Sequence, residues 1–132
     1  MKTIFKFLDK QTRIVISFTD NNMPQIRVLQ LVKLDNQIFY FATSVKDRIY
    51  KQLKKNPQVE ILAIEGNTTV KIIGSVSFDV SESMKQEIFH TNPIIQHLYR
   101  GIEDLNFFKI NIKNAEYYDL NTIPPTLIHH IV

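Results

Sequence analysis

The stretch QIRVLQLVKLDNQIFYFAT, residues 25–43, consists of two apolar runs on either side of Asp35-Asn36. Both runs are rich in β-branched, aliphatic and aromatic residues, and a short Asp/Asn signal between such runs predicts a β-hairpin. Alternation along the first run sets Arg27, Leu29, Leu31 and Lys33 on one face. Ile26, Val28, Gln30, Val32 and Leu34 then fall on the other, because successive side chains of a strand point to opposite sides.

Downstream the period changes. In TSVKDRIYKQLKKNP, residues 43–57, the apolar positions Val45, Ile49 and Leu53 recur every four residues. That spacing predicts a helix over 46–56 with those three as its buried stripe. Pro57 ends it, since a proline disfavours helical geometry in the residue before it. Upstream, RIVISF (13–18) reads as a strand closed by the turn cluster TDNNMP, and Ile4, Phe5, Phe7 and Leu8 have the spacing of a short amphipathic helix. Further on, VEILAIEG and TTVKIIGSVSFDV form a second hairpin around Gly66-Asn67, and Gly74 marks a bulge or a close backbone approach. Ser81 is placed to cap a helix running through His90, and Pro93 to start another ending near Gly101. FFKINI and AEYYDL supply two more strands, and the tail NTIPPTLIHHIV is extended. Six or seven strands joined mostly by short turns predict a mainly β (α+β) chain: one domain, residues 1–132, built as a small antiparallel β-barrel with short flanking helices.

Composition narrows the function classes. The chain of 132 residues is 44% hydrophobic and 22% charged, as ordinary globular domains are. Its formal charge of +3 is too mild to imply a nucleic-acid partner by itself. Cysteine is absent, which excludes disulfides, thiolate catalysis and cysteine-ligated metal. The start MKTIFKFLDKQTR does not resemble a signal peptide, and no run reaches the roughly 18 apolar residues of a membrane span. The expectation is a cytoplasmic protein with no membrane partner.

The predicted basic helix poses the functional question. It carries Lys46, Arg48, Lys51, Lys54 and Lys55, and the first two fall where the helix dipole disfavours cations. Thr43 and Ser44 stand at the N-cap position, and Ser44 with Asp47 approximates a capping box. Hydroxyls, free helix N–H groups and cations, with Arg27 converging from the neighbouring strand, compose a phosphate pocket. The alternative from the residues alone is a solvated basic face.

The ordered series MPQIRVLQL, IFYFATSVKDRIYKQLKKNPQVEI, VKIIGSVSFDV, NPIIQHLYR and FFKINIKNAEYYDL resembles the pyridoxamine 5′-phosphate oxidase-like FMN-binding split barrels over about residues 18–119. The resemblance implies a homodimer binding FMN in clefts at the subunit interface. It assigns Arg27 to the FMN phosphate and Val28 and Leu29 to the backbone beside the flavin. Ala42, Thr43 and Ser44 would line ring and phosphate, and Lys46, Arg48, Lys51 and Gln52 the basic helix start. Thr69 would contribute a polar contact from the second subunit. Two departures separate the chain from the vitamin B6 oxidase itself. Arg48-Ile49 stands where that enzyme has an Arg-Lys pair, and PPTLIHHIV does not reproduce its basic, His-containing substrate segment. The expected function is therefore an FMN-dependent oxidoreductase of this type acting on an unidentified small molecule. The alternatives are a non-catalytic flavin- or phosphorylated-ligand-binding module, and a heme- or deazaflavin-binding relative. FAD is expected to bind more weakly than FMN, its adenylate having no obvious room.

Other candidates are weaker. His129 and His130 are adjacent in the tail with no carboxylate partner evident, and Pro93 separates His90 from His97. No Gly-rich phosphate loop or Ser-His-Asp set can be assembled. A nucleic-acid-binding barrel would interleave aromatic platforms with cations on one strand face, and QIRVLQLVKL has no aromatic residue. No catalytic acid or base is expected from the protein, since the flavin ring carries the hydride chemistry.

Overall fold

The computed structural model describes residues 13–131, and the amphipathic segment expected around Ile4–Leu8 lies outside them. The described residues form seven antiparallel strands: β1 (Arg13–Asp20), β2 (Met23–Asp35), β3 (Ile38–Ser44), β4 (Gln58–Glu65), β5 (Thr68–Ser77), β6 (Leu105–Asp119) and β7 (Thr126–Ile131). Three helices interrupt them, α1 (Ile49–Lys55), α2 (Glu82–Thr91) and α3 (Pro93–Leu98), with a 3-10 turn at Ile102–Asp104. The strand order is β3-β2-β1-β4-β5-β6-β7, and β3 also pairs with β6, closing the first six strands into a ring. The expected mainly β barrel with flanking helices is thus observed. No helix among the described residues is long and apolar enough to cross a membrane.

Strand β6 makes the barrel split. Its first half pairs with β3, from Leu105 opposite Ser44 to Ile110 opposite Phe39. Its second half pairs with β7, from Asn114 opposite Ile131 to Asp119 opposite Thr126. FFKINI and AEYYDL are therefore one strand rather than two. Between them a bulge leaves Lys113 without a partner, Ile73 facing Asn114 and Gly74 facing Ile112. Gly74 is required there, because a Cβ would sit 2.4 Å from the Asn111 carbonyl oxygen.

A second bulge corrects the face assignment on β2. Leu31 pairs with Phe41 but Lys33 with Tyr40, so Val32 is the extra residue and the alternation slips by one. Leu29, Leu31 and Leu34 all face the barrel interior. Val32 turns out towards the helices, and Lys33 reaches Glu87 at 2.9 Å. Asn92 pins this point: its Nδ2 donates to the Val32 carbonyl at 3.2 Å while its Oδ1 accepts the Ile94 and Ile95 N–H groups, capping α3. The tight turn after β2 centres on Asn36 and Gln37, both at positive φ, one residue later than the sequence signal. The turn after β1 uses Asn21 and Asn22, also both at positive φ, the combination that suits the twist of a hairpin.

Two apolar layers result. Ile14, Ile16, Phe39, Phe41, Ile61, Ile72, Phe108 and Ile110 fill the barrel, with the Phe41 and Phe108 rings stacked at 5.4 Å. Ile49 and Leu53 plug α1 into that interior. Outside β3 and β6, Tyr40, Ala42, Leu105 and Phe107 pack against Ile88 and Ile95 of α2 and α3. Helix α2 is capped by Ser81, whose Oγ accepts the Met84 N–H, and α3 stops at Leu98, short of Gly101.

Candidate functional site

The end of β3 delivers the chain to the barrel mouth, where two short-range contacts delay the helix. The Ser44 hydroxyl accepts the Lys46 N–H at 3.2 Å, and the Ser44 carbonyl accepts the Asp47 N–H at 2.9 Å. Helix α1 consequently starts at Ile49 and has seven residues, so Lys46 belongs to the preceding turn and not to the first helical turn. Val45 is likewise outside the buried stripe, at 48% exposed, whereas Ile49 and Leu53 are fully buried.

The first N–H of α1, that of Ile49, donates to Asp47 Oδ1 at 2.9 Å. Arg27 Nη1 reaches the same carboxylate, at 2.8 Å to Oδ1 and 3.1 Å to Oδ2. The anion at the helix start is therefore the chain's own. Asp47 is the acceptor at the helix start in place of Ser44, the expected cap, and it orients the Arg27 guanidinium by a charge-assisted contact. Beside them Thr43 is buried on the barrel side of β3, and its hydroxyl has no hydrogen-bond partner among the described residues.

The remaining cations gather on another side of α1. Arg48, Lys51, Gln52 and Lys55 are spaced i, i+3, i+4 and i+7, which puts them on one helical face. That face and the β1–β2 turn residues Asp20 and Asn21 line an open cleft of about 430 Å3. Gln52 is 7% exposed; its Nε2 donates to Asp20 Oδ2 at 2.8 Å, and its Oε1 is buried without a partner among the described residues. Among the described residues Arg48, Lys51 and Lys55 form no ion pair, and Asp20 is the one carboxylate in the cleft wall. Lys54 is committed elsewhere, over the rings of Tyr50 at 4.6 Å and Phe78 at 5.6 Å.

Of the residues singled out in the sequence, Arg27, Thr43, Ser44, Lys46, Arg48, Lys51 and Gln52 lie at or around α1. Leu29 is buried in the interior and Ala42 under α2 and α3, so their side chains contact apolar neighbours. Val28 points outward and is 54% exposed. Thr69 does not join them. It lies on β5, three strands from β2 whichever way the six-strand ring is followed, and so on the opposite side of the barrel. It stands in a cross-strand row with Ile64, Tyr118 and Leu127, all exposed. Sequence reasoning missed Asp47 as the partner of Arg27, and missed Asp20, Asn21 and Lys55 in the cleft wall. The i, i+3, i+4, i+7 spacing was a sufficient signal for Lys55; nothing in the turn cluster TDNNMP announced Asp20.

Residues 1–119 match the sequence profile described as pyridoxamine 5′-phosphate oxidase. No curated protein matches the chain in sequence. Solved structures similar to it include a Clostridium acetobutylicum protein related to general stress protein 26 of the pyridoxinephosphate oxidase family (TM-score 0.81, 16% identity, covering 99% of this chain and 95% of that one). A pyridoxamine 5′-phosphate oxidase-related, FMN-binding protein from Nostoc punctiforme gives a TM-score of 0.69 at 10% identity, over 99% and 95% of the two chains. HutZ, a heme storage protein from Vibrio cholerae, gives 0.67 at 16% identity, over 84% and 88%. Barrels of this fold therefore include a protein described as FMN-binding and one described as a heme storage protein.

Proposed function

From the premise that the chain belongs to the pyridoxamine 5′-phosphate oxidase family, we propose that it is a cytoplasmic FMN-binding flavoprotein and an FMN-dependent oxidoreductase acting on a small molecule. The observation that carries this reading is the set of unpaired cations on one face of α1, beside a guanidinium already held in place on β2. Arg48 and Lys51 face a common cleft with no ion-pair partner among the described residues, and cations so gathered repel one another unless an anion is shared. The cleft's cationic donors suit a phosphate: the forked guanidinium of Arg48 and the ammonium of Lys51. Heme has less support, because none of His90, His97 and His129 lines the α1 cleft.

Once bound, the flavin supplies the hydride chemistry. The chain's part is to hold the phosphate with Arg48 and Lys51 in the cleft, with Arg27 held by Asp47 on the neighbouring side of α1, and to orient the ring against the ends of β2 and β3. A second copy completes the cleft. Ile26 and Val28 on β2 leave 71% and 54% of their surface exposed, and the row around Thr69 is as bare. The two strips lie on opposite sides of the six-strand ring, so a two-fold pairing uses one of them, the β2 strip of each copy meeting that of its partner.

The test is spectroscopic. The purified protein should carry flavin absorption or acquire it with FMN, and a nicotinamide donor should bleach the bound flavin anaerobically. A protein that takes up FMN but whose flavin no donor bleaches is a carrier, not an oxidoreductase. One that takes up no FMN is neither.

A further inference from the structure

The cations around α1 are not equivalent. Lys46, Arg48, Lys51, Lys54 and Lys55 are exposed, whereas Arg27 is partly buried, its side chain 31% accessible. Charge is screened least at the sheltered position, so Arg27 is the cation on which an anion gains most. It is also the only one of the six that forms an ion pair among the described residues, and its partner is Asp47. Both carboxylate oxygens lie on Arg27 Nη1, at 2.8 and 3.1 Å, and Oδ1 accepts the Ile49 N–H as well.

A phosphate meets this carboxylate whichever way it approaches. Asp47 is bonded to Arg27 and directly precedes Arg48 in the chain, their Cα atoms about 3.8 Å apart. To take Nη1 the phosphate must displace Asp47. To add on the Nη2 and Nε hydrogens it must stand about two hydrogen-bond lengths from the carboxylate, roughly 6 Å. That is inside the Debye length of about 8 Å, so the repulsion between the two anions persists in physiological salt. A ligand without a phosphate meets neither obstacle.

Resting on the flavin reading above, we propose that Asp47 is a resident competitor for the ligand's phosphate, and so the residue that sets how strongly the site prefers a phosphorylated ligand. In the free chain it occupies the sheltered cation and leaves the phosphate the exposed Arg48 and Lys51 of the cleft. The apparent affinity is then lowered by the fraction of chains in which Arg27 is free. The pair that steadies the free chain is the one the ligand works against. Stability and phosphate affinity therefore move in opposite directions at this residue.

The experiment is a fluorescence-quenching titration of the full chain with FMN and with riboflavin, in wild type, Asp47→Asn, Arg27→Ala and the double variant. Asp47→Asn keeps an oxygen for the Ile49 N–H and removes only the charge. FMN should bind Asp47→Asn about fivefold more tightly, the equilibrium factor of one partly screened ion pair, with riboflavin unchanged. In the Arg27→Ala background most of that gain should vanish. A damaged fold loses affinity and does not gain it. FMN binding that is unchanged or weaker in Asp47→Asn, while wild type binds FMN, overturns the proposal, makes Asp47 a positioning residue for Arg27 and leaves the flavin reading standing. A gain shared by riboflavin, or undiminished by Arg27→Ala, overturns it too. If neither wild type nor Asp47→Asn binds FMN, the flavin reading falls and the proposal with it.

Discussion

Asp47 joins two elements that are far apart in sequence, and removing it separates two contributions that can be measured. Asp47→Ala deletes the acceptor for the first N–H of α1, a loss of about 1 kcal/mol for a helix cap. It also deletes the carboxylate facing Arg27. The two side chains are 31% and 28% exposed, so this pair is screened less than a surface one, and its removal leaves the guanidinium half-buried and unpaired. About 1–1.5 kcal/mol is reasonable for that loss. The sum, about 2–2.5 kcal/mol, lowers Tm by roughly 6–10 °C for a chain of this size. Asp47→Asn keeps a capping oxygen and gives up only the charge, and Arg27→Ala keeps the cap entirely, so each should cost about 1 kcal/mol. Urea unfolding followed by circular dichroism, at one protein concentration and without ligand, measures all three and the double variant. The cycle should return a coupling of about 1 kcal/mol between Arg27 and Asp47. A coupling of zero, or an Asp47→Ala cost no larger than that of Asp47→Asn, would refute the account of how the helix start is satisfied.

Arg48→Ala should weaken FMN by one to two decades, about 1.5–3 kcal/mol, whereas Lys54→Ala should leave FMN affinity unchanged and cost about 0.5–1 kcal/mol of stability through its lost ring contacts. Gly74→Ala should destabilise by about 1–3 kcal/mol in the same unfolding assay, because the Asn111 carbonyl lies where the methyl must go. Light scattering should give a homodimer at micromolar concentration, and Ile26→Asp, at an exposed position of the outer sheet face, should give a folded monomer with weakened FMN affinity.

The strands were legible because the interior imposes a period of two. Ile14, Ile16 and Phe18, or Val70 and Ile72, can be placed from alternation alone, and Gly74 announced its bulge because glycine in a strand needs a reason. The slip at Val32 was not legible: the extra residue is apolar like its neighbours, and what fixes it is Asn92, 60 residues away in sequence. The helix start was misplaced for a similar reason. Local spacing favoured 46, but Asp47 is drawn to Arg27 from another strand, and the ladder begins only after it. Of the residues at or around α1, Arg27, Thr43, Arg48, Lys51 and Gln52 were singled out through helical and strand spacing together with family resemblance. Asp20 and Asn21 were not, since a turn cluster carries no sign of which helix it will face.

The central claim is that the cations around α1 hold the phosphate of a flavin, and a paired titration of one sample with FMN and with riboflavin tests it most directly. The two ligands share the ring and differ in the phosphate, so fluorescence quenching reports both on one scale. The account predicts that FMN binds at least about tenfold more tightly, the worth of one charge-assisted contact, and that Arg48→Ala removes most of this margin while leaving riboflavin nearly indifferent. Equal affinity for the two flavins, unmoved by Arg48→Ala, would contradict it and leave the basic face of α1 a solvated surface.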